Sequence, residues 1–106
     1  MTGFEERERA EEAKFAHDEE LRFKALARRD KLLGLWAAGL IGKTGEAATS
    51  YAAEVLKSDF EAPGDEVVFR KVRGDFEKAG LVMTDHQIHR QMTEFMETAI
   101  RQLKAE

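Results

Sequence analysis

A single proline, Pro63, stands in this chain of 106 residues, and glycine supplies most of the remaining punctuation. Proline removes a backbone donor and clashes with the preceding helical turn, so its near absence leaves helices free to run. Ala, Glu, Lys, Leu and Arg fill the stretches between the glycines, and these residues lose least on entering a helix. The expected fold class is all-α.

Four helical stretches follow from the punctuation. The first runs from about Phe4 to Leu40 and ends in the Gly39/Gly42 region, where glycine can adopt the left-handed conformation that closes a helix. Thr44 or Gly45 starts the second, in which Ala48, Tyr51, Ala52, Val55, Leu56 and Phe60 recur at three- and four-residue spacing until Pro63. Asp65 and Glu66 suit the start of a third, which carries Val68, Phe69, Val72, Phe76 and Ala79 before Gly80. Thr84 with Gln87 forms a capping-box pattern, followed by the apolar stripe of Ile88, Met92, Phe95, Met96, Ala99 and Leu103. Short connections between them favour a four-helix bundle over residues 19–106, with helices at about 19–40, 45–61, 65–79 and 84–104. Trp36, Tyr51, Met92 and Met96 are expected in its core.

Residues 1–18 stand apart. Positions 5 to 20 hold eight acids (Glu5, Glu6, Glu8, Glu11, Glu12, Asp18, Glu19, Glu20) and three bases (Arg7, Arg9, Lys14), with Phe4 and Phe15 as the large apolar groups. So little apolar surface predicts a mobile arm, intrinsically disordered alone and potentially helical. Two readings of it stay open. One is a charged extension that keeps the chain in solution. The other is a segment for insertion into a protein cleft, because Phe4 and Phe15 lie eleven residues apart, close to three helical turns, with Arg7, Glu8, Glu11 and Glu12 flanking them. After the arm the balance inverts, and Arg22, Arg28, Arg29 and Lys31 make a basic collar with two readings: it docks on a partner, or it pairs within the bundle.

Several function classes are excluded. With 17 Lys+Arg against 21 Asp+Glu the net charge is −4, which disfavours nucleic acid as a partner. No apolar run approaches the ~18–20 residues of a membrane span and the N-terminus is acidic, so the expectation is a soluble, unprocessed, cytoplasmic protein without direct membrane insertion. Cysteine is absent, so there is no thiolate metal site and no thiol nucleophile. Gly42-Lys43-Thr44 resembles the end of a phosphate-binding loop, but Ala37 stands where that motif needs its first glycine. His86 and His89 beside Asp85 amount to half a metal site, and no metal or cofactor is expected. The carboxylates of the arm lack the shaped, partly dry pocket that acid–base catalysis needs, so the chain is not expected to be an enzyme.

The residues Arg7-Glu8-Arg9-Ala10, Ala13-Lys14-Phe15-Ala16-His17-Asp18, Phe23-Lys24 and Ala27-Arg28-Arg29-Asp30-Lys31-Leu32-Leu33-Gly34-Leu35-Trp36-Ala37-Ala38 carry a resemblance. Together with Tyr51-Ala52, Asp59-Phe60-Glu61, Val68 to Arg73 and Thr84 to Arg101, they make the chain similar to the ζ subunit family, the inhibitor of the alphaproteobacterial F-type ATP synthase. The resemblance implies that the arm enters a catalytic interface between the α and β subunits of the soluble head, contacts the rotor γ subunit and stops hydrolytic rotation. Carried over, Phe4, Arg7, Arg9, Lys14 and Phe15 match the inhibitory arm, with the bundle docked outside and the protein peripheral to the inner membrane. The alternatives from other classes are a small helical ligand- or nucleotide-binding module and a docked structural subunit without inhibitory power.

Overall fold

The computed structural model describes residues 3–106, apart from the side chains of Phe4, Glu5, Glu8, Glu11, Glu12 and Ala16. Five helices follow one another with no strand among the described residues: α1 (Gly3–His17), α2 (Glu19–Leu40), α3 (Gly45–Asp59), α4 (Glu66–Lys78) and α5 (Asp85–Ala105). The fold class is all-α.

The long first helix expected from Phe4 to Leu40 is two helices. Asp18 takes an extended conformation (φ −92°, ψ 113°), and its side chain accepts the Leu21 backbone N–H at 3.1 Å. That is the N-cap role that short acidic side chains fill, and Glu19 and Glu20 add negative charge where the dipole of α2 favours it. Asp18 is therefore an internal start signal within a continuously helical composition.

The turns after α2 and α4 are built alike. Lys43 N–H reaches Ala38 C=O at 2.8 Å and Gly42 N–H reaches Gly39 C=O at 3.2 Å. After α4, Leu81 N–H reaches Phe76 C=O at 2.9 Å and Gly80 N–H reaches Glu77 C=O at 3.1 Å. Both are Schellman closures, and Gly42 (φ 85°) and Gly80 (φ 72°) occupy the left-handed position that these require. The Gly42-Lys43-Thr44 segment is thus a helix-to-helix turn. At the start of α5 the capping box is complete, with Gln87 N–H donating to Thr84 Oγ1 at 3.1 Å and Thr84 N–H donating to Gln87 Oε1 at 2.9 Å. Helix α3 stops at Asp59, ahead of Pro63.

Helix α2 packs along α3 and α5, and α4 packs on α3 and α5. Their apolar faces meet in one core of Leu33, Ala37, Tyr51, Val55, Val68, Phe69, Val72, Phe76, Ile88 and Met92, all buried. Trp36 lies half-buried at the margin of this core, edge-on to Phe76 (centroids 5.6 Å apart) and to Phe95 (6.1 Å). Helix α1 packs against α2.

Candidate partner-binding surface

Helix α1 carries most of the residues expected to meet a partner. Arg7, Arg9 and Lys14 are exposed, as are Glu6 and His17. Phe15 is turned the other way: it is 7% exposed, in a second apolar cluster with Ala25 of α2 and Ile100 of α5, against which Leu21, Met96 and Leu103 pack. Phe15 thus gives the segment an apolar anchor on the body of the protein, which the composition of the arm did not predict. The side chains of Phe4, Glu8, Glu11 and Glu12 lie outside the described residues.

The basic collar is divided among three environments. Arg22 and Lys31 are exposed. Arg28 donates to Gln102 Oε1 at 2.8 Å and pairs with the Glu106 carboxylate, which ties α2 to the end of α5. Arg29 is 2% exposed and pairs within the body of the protein. Its Nε donates to Asp30 Oδ1 at 2.8 Å, one Nη donates to Asp65 Oδ1 at 3.1 Å, and the same nitrogen lies 3.6 Å from Asp59 Oδ2. The collar residue at this position therefore bonds the start of α4 and the end of α3 onto α2.

This cluster shifts the titration of Arg29 and Asp30. Burial alone would lower the Arg29 pKa, but the attraction of Asp30 and the hydrogen bond to Asp65 outweigh it and raise it. Burial pushes the Asp30 carboxyl up, and the Asp59 carboxyl beside it adds to the rise, so that despite Arg29 it reaches about 8. Asp65, which looked like a helix cap in the sequence, makes no capping bond with its side chain because that side chain is spent on Arg29.

A second polar cluster joins α3 to α4. Tyr51 donates its hydroxyl to Asp75 Oδ2 at 2.8 Å, Lys71 Nζ lies 2.9 Å from the same oxygen, and the ammonium stands 5.0 Å from the centre of the Tyr51 ring. Burial would raise the Asp75 carboxyl, yet the hydrogen bonds from Lys71 and Tyr51 hold it below the ordinary carboxylate range. The bond from Tyr51 ties α3 to α4.

Beside Arg29 an open groove of about 990 Å³ runs between the first half of α2, the 60–65 connection and α5. Phe15, Phe23, Phe60, Met92 and Met96 supply its apolar lining. Phe23 and Phe60 are stacked with centroids 5.5 Å apart while remaining 55% and 60% exposed. Periodicity alone gave no signal for that pair, because the two rings come from different elements. Among the described residues no group of three His, Cys, Asp or Glu side chains is arranged to hold a metal ion, and His89 stacks on the Phe69 ring at 4.1 Å. No helix among them is long and apolar enough to cross a membrane.

What the geometry offers is a charged surface helix anchored at one phenylalanine, an exposed aromatic pair and inward-directed ionic ties. This defines a small all-helical protein with an exposed charged helix and an exposed aromatic pair beside an open groove. The sequence profile described as ATPase inhibitor subunit zeta matches residues 1–102, and the chain belongs to that family. A solution NMR structure of a protein 44% identical to this chain superposes with a TM-score of 0.72, covering 80% of this chain and 96% of that one. No curated protein matches it. Family membership gives the chain the general character of a non-catalytic regulator associated with an ATPase.

Proposed function

We propose that this chain inhibits ATP hydrolysis by an F-type ATP synthase, with residues 1–18 as the inhibitory arm and helices α2–α5 as a four-helix bundle that holds the arm at its target. The observation that carries this reading is the match of the zeta-subunit profile over residues 1–102, which includes the arm itself. The arm enters an interface between the α and β subunits of the catalytic head and contacts the rotor γ subunit. The protein then sits in the cytoplasm, peripheral to the inner membrane.

Two features of the molecule support the mechanism. The break at Asp18 separates the charged segment from the bundle at one residue, so α1 can change its angle without unfolding α2. A helical segment of about 18 residues spans roughly 27 Å, long enough to pass from the surface of a large assembly into an interface. Arg7, Arg9 and Lys14 are exposed and free to pair with acidic groups of the target. For Phe15 to contribute there it must leave Ala25 and Ile100, and that cost keeps the affinity moderate.

Titrating the cognate soluble catalytic head with the full chain, and with a chain lacking residues 1–18, tests the proposal. Hydrolysis should fall with the full chain and be unaffected by the truncated one. Equal inhibition by both would move the effector into the bundle, and no inhibition by either would leave a docked structural subunit.

A further inference from the structure

The cluster around Arg29 holds more negative charge than it can neutralise. Three carboxyl groups, Asp30, Asp59 and Asp65, surround one guanidinium. Asp65 is 59% exposed and shares its charge with solvent, whereas Asp59 is 10% exposed and Asp30 is fully buried. Asp30 Oδ1 accepts from Arg29, but Asp30 Oδ2 is buried with no hydrogen-bond partner. An ionised oxygen in that position would lose its hydration for nothing in return.

Asp59 is the other buried carboxyl on this guanidinium, its Oδ2 3.6 Å from the Arg29 Nη, and its nearness to Asp30 adds to the rise of the Asp30 carboxyl. Two carboxylate oxygens attract only when a proton lies between them. We propose that Asp30 and Asp59 share one proton in the folded chain, and that this proton latches the 60–65 connection onto α2. With the proton in place, Asp30 Oδ2 becomes a donor, Asp59 becomes its acceptor, and the cluster carries one net negative charge. Without it, the cluster carries two and both near carboxylates repel.

Among the described residues no other element supplies the missing partner. On α2, Arg29 is already engaged, while Glu19 and Arg22 lie further along the groove. Helix α3 brings Asp59 itself, and α4 brings Asp65 at its cap, with Glu66 pairing to Arg70. Helix α5 brings His89 and Glu97 to the groove, with His89 stacked on Phe69. Helix α1 contributes Phe15 to the same lining.

The direction of the effect follows from linkage. The Asp30 carboxyl is raised to about 8 in the folded chain, above its value of 3.8 when unfolded. Its contribution to stability is therefore fully present below about 4 and is lost as pH rises through about 8. The structural consequence falls on the connection that bears Phe60, Pro63 and Gly64 and forms one wall of the groove. Releasing the latch loosens that wall and the stack of Phe60 on Phe23. The inference concerns the bundle alone and stands independently of the inhibitory reading.

Two measurements on the full chain test it. The carboxyl carbon of Asp30, followed by NMR from pH 4 to pH 10, should keep the shift of a protonated acid at pH 6 and change in one step near pH 8. A constant ionised shift from pH 5 upward would overturn the proposal. In thermal melts, raising the pH from 6 to 9 should lower the Tm of the unsubstituted chain by at least about 5 °C more than that of Asp30→Asn or Asp59→Asn. In each variant an amide replaces the shared proton with its own N–H donor, so the pH response should flatten. Parallel curves for all three chains would refute the latch, and the NMR titration decides the matter if a variant does not fold.

Discussion

Gly34 and Ala52 mark the closest approach of α2 to α3: a Cβ added at Gly34 would lie 2.5 Å from the Ala52 Cα. Real side chains do not tolerate that distance to a backbone atom, so Gly34→Ala must push the two helices apart. Alanine favours a helix over glycine by about 1 kcal/mol, but overpacking costs about 1–3 kcal/mol. The expected net result is destabilisation of about 1–2 kcal/mol in urea unfolding, and a variant more stable than the parent would contradict the tight crossing.

Trp36 lies at the edge of the core with two ring partners, Phe76 and Phe95. Full burial would place Trp36→Ala at the top of the range for aromatic truncation; its half-buried position puts the expected loss near about 3 kcal/mol. Chemical denaturation measures it. An unchanged midpoint would mean that the indole serves a surface role instead.

The Tyr51–Asp75–Lys71 cluster makes acid unfolding sensitive to one hydroxyl. The folded Asp75 carboxyl lies below its unfolded value of 3.8, so its stabilisation is present above that pH and is lost as pH falls through the folded value. Tyr51→Phe keeps the ring and removes one of the two donors, with an expected cost of about 1 kcal/mol at neutral pH and a smaller further loss on acidification. Melting curves at pH 7 and pH 3 report both quantities. A variant whose acid sensitivity matches the parent would show that Lys71 alone sets the Asp75 titration.

Phe15 anchors α1 at a satellite cluster remote from the main core. Phe15→Ala should therefore release α1 at a local cost of about 2 kcal/mol, while Val55 and Val72 at the centre keep their protection. Amide exchange separates the two: residues 3–17 should lose protection and the core amides should not. Loss of protection throughout the chain would show that α1 belongs to the cooperative unit.

Arg7 and Arg9 are exposed on α1. Replacing both by Glu should leave the melting temperature unchanged and weaken inhibition of the catalytic head by about tenfold or more, if each pairs with an acid of the target. Salt dependence provides the control, because inhibition by the parent chain should decline as ionic strength rises.

Much of the helical punctuation could be read before any coordinates. Gly42 and Gly80 close helices in the left-handed conformation, and Thr84 with Gln87 starts one, because these signals act over three to five residues along one segment of chain. The break at Asp18 lies between good helix formers on both sides, and the aspartate followed by two glutamates is itself a start signal. Asp65 shows the reverse: its residue type suited a cap, and a tertiary partner 36 positions away claimed the side chain instead.

The candidate surface was less legible. The charged character of residues 5–20 follows from composition, since charge is a property of the residues themselves. Whether Phe15 has a place to bury, or whether Arg29 points outward, depends on which faces of other helices stand opposite. The sequence by itself determined the all-α class, the helix stops and the charge of the first segment, because these rest on local backbone preferences and hydration. Only the tertiary structure decided that Phe15 is anchored between α2 and α5, and that Arg29 turns inward onto Asp30, Asp59 and Asp65. Those outcomes depend on burial and on charge pairing between distant segments, and neither exists until the helices have packed.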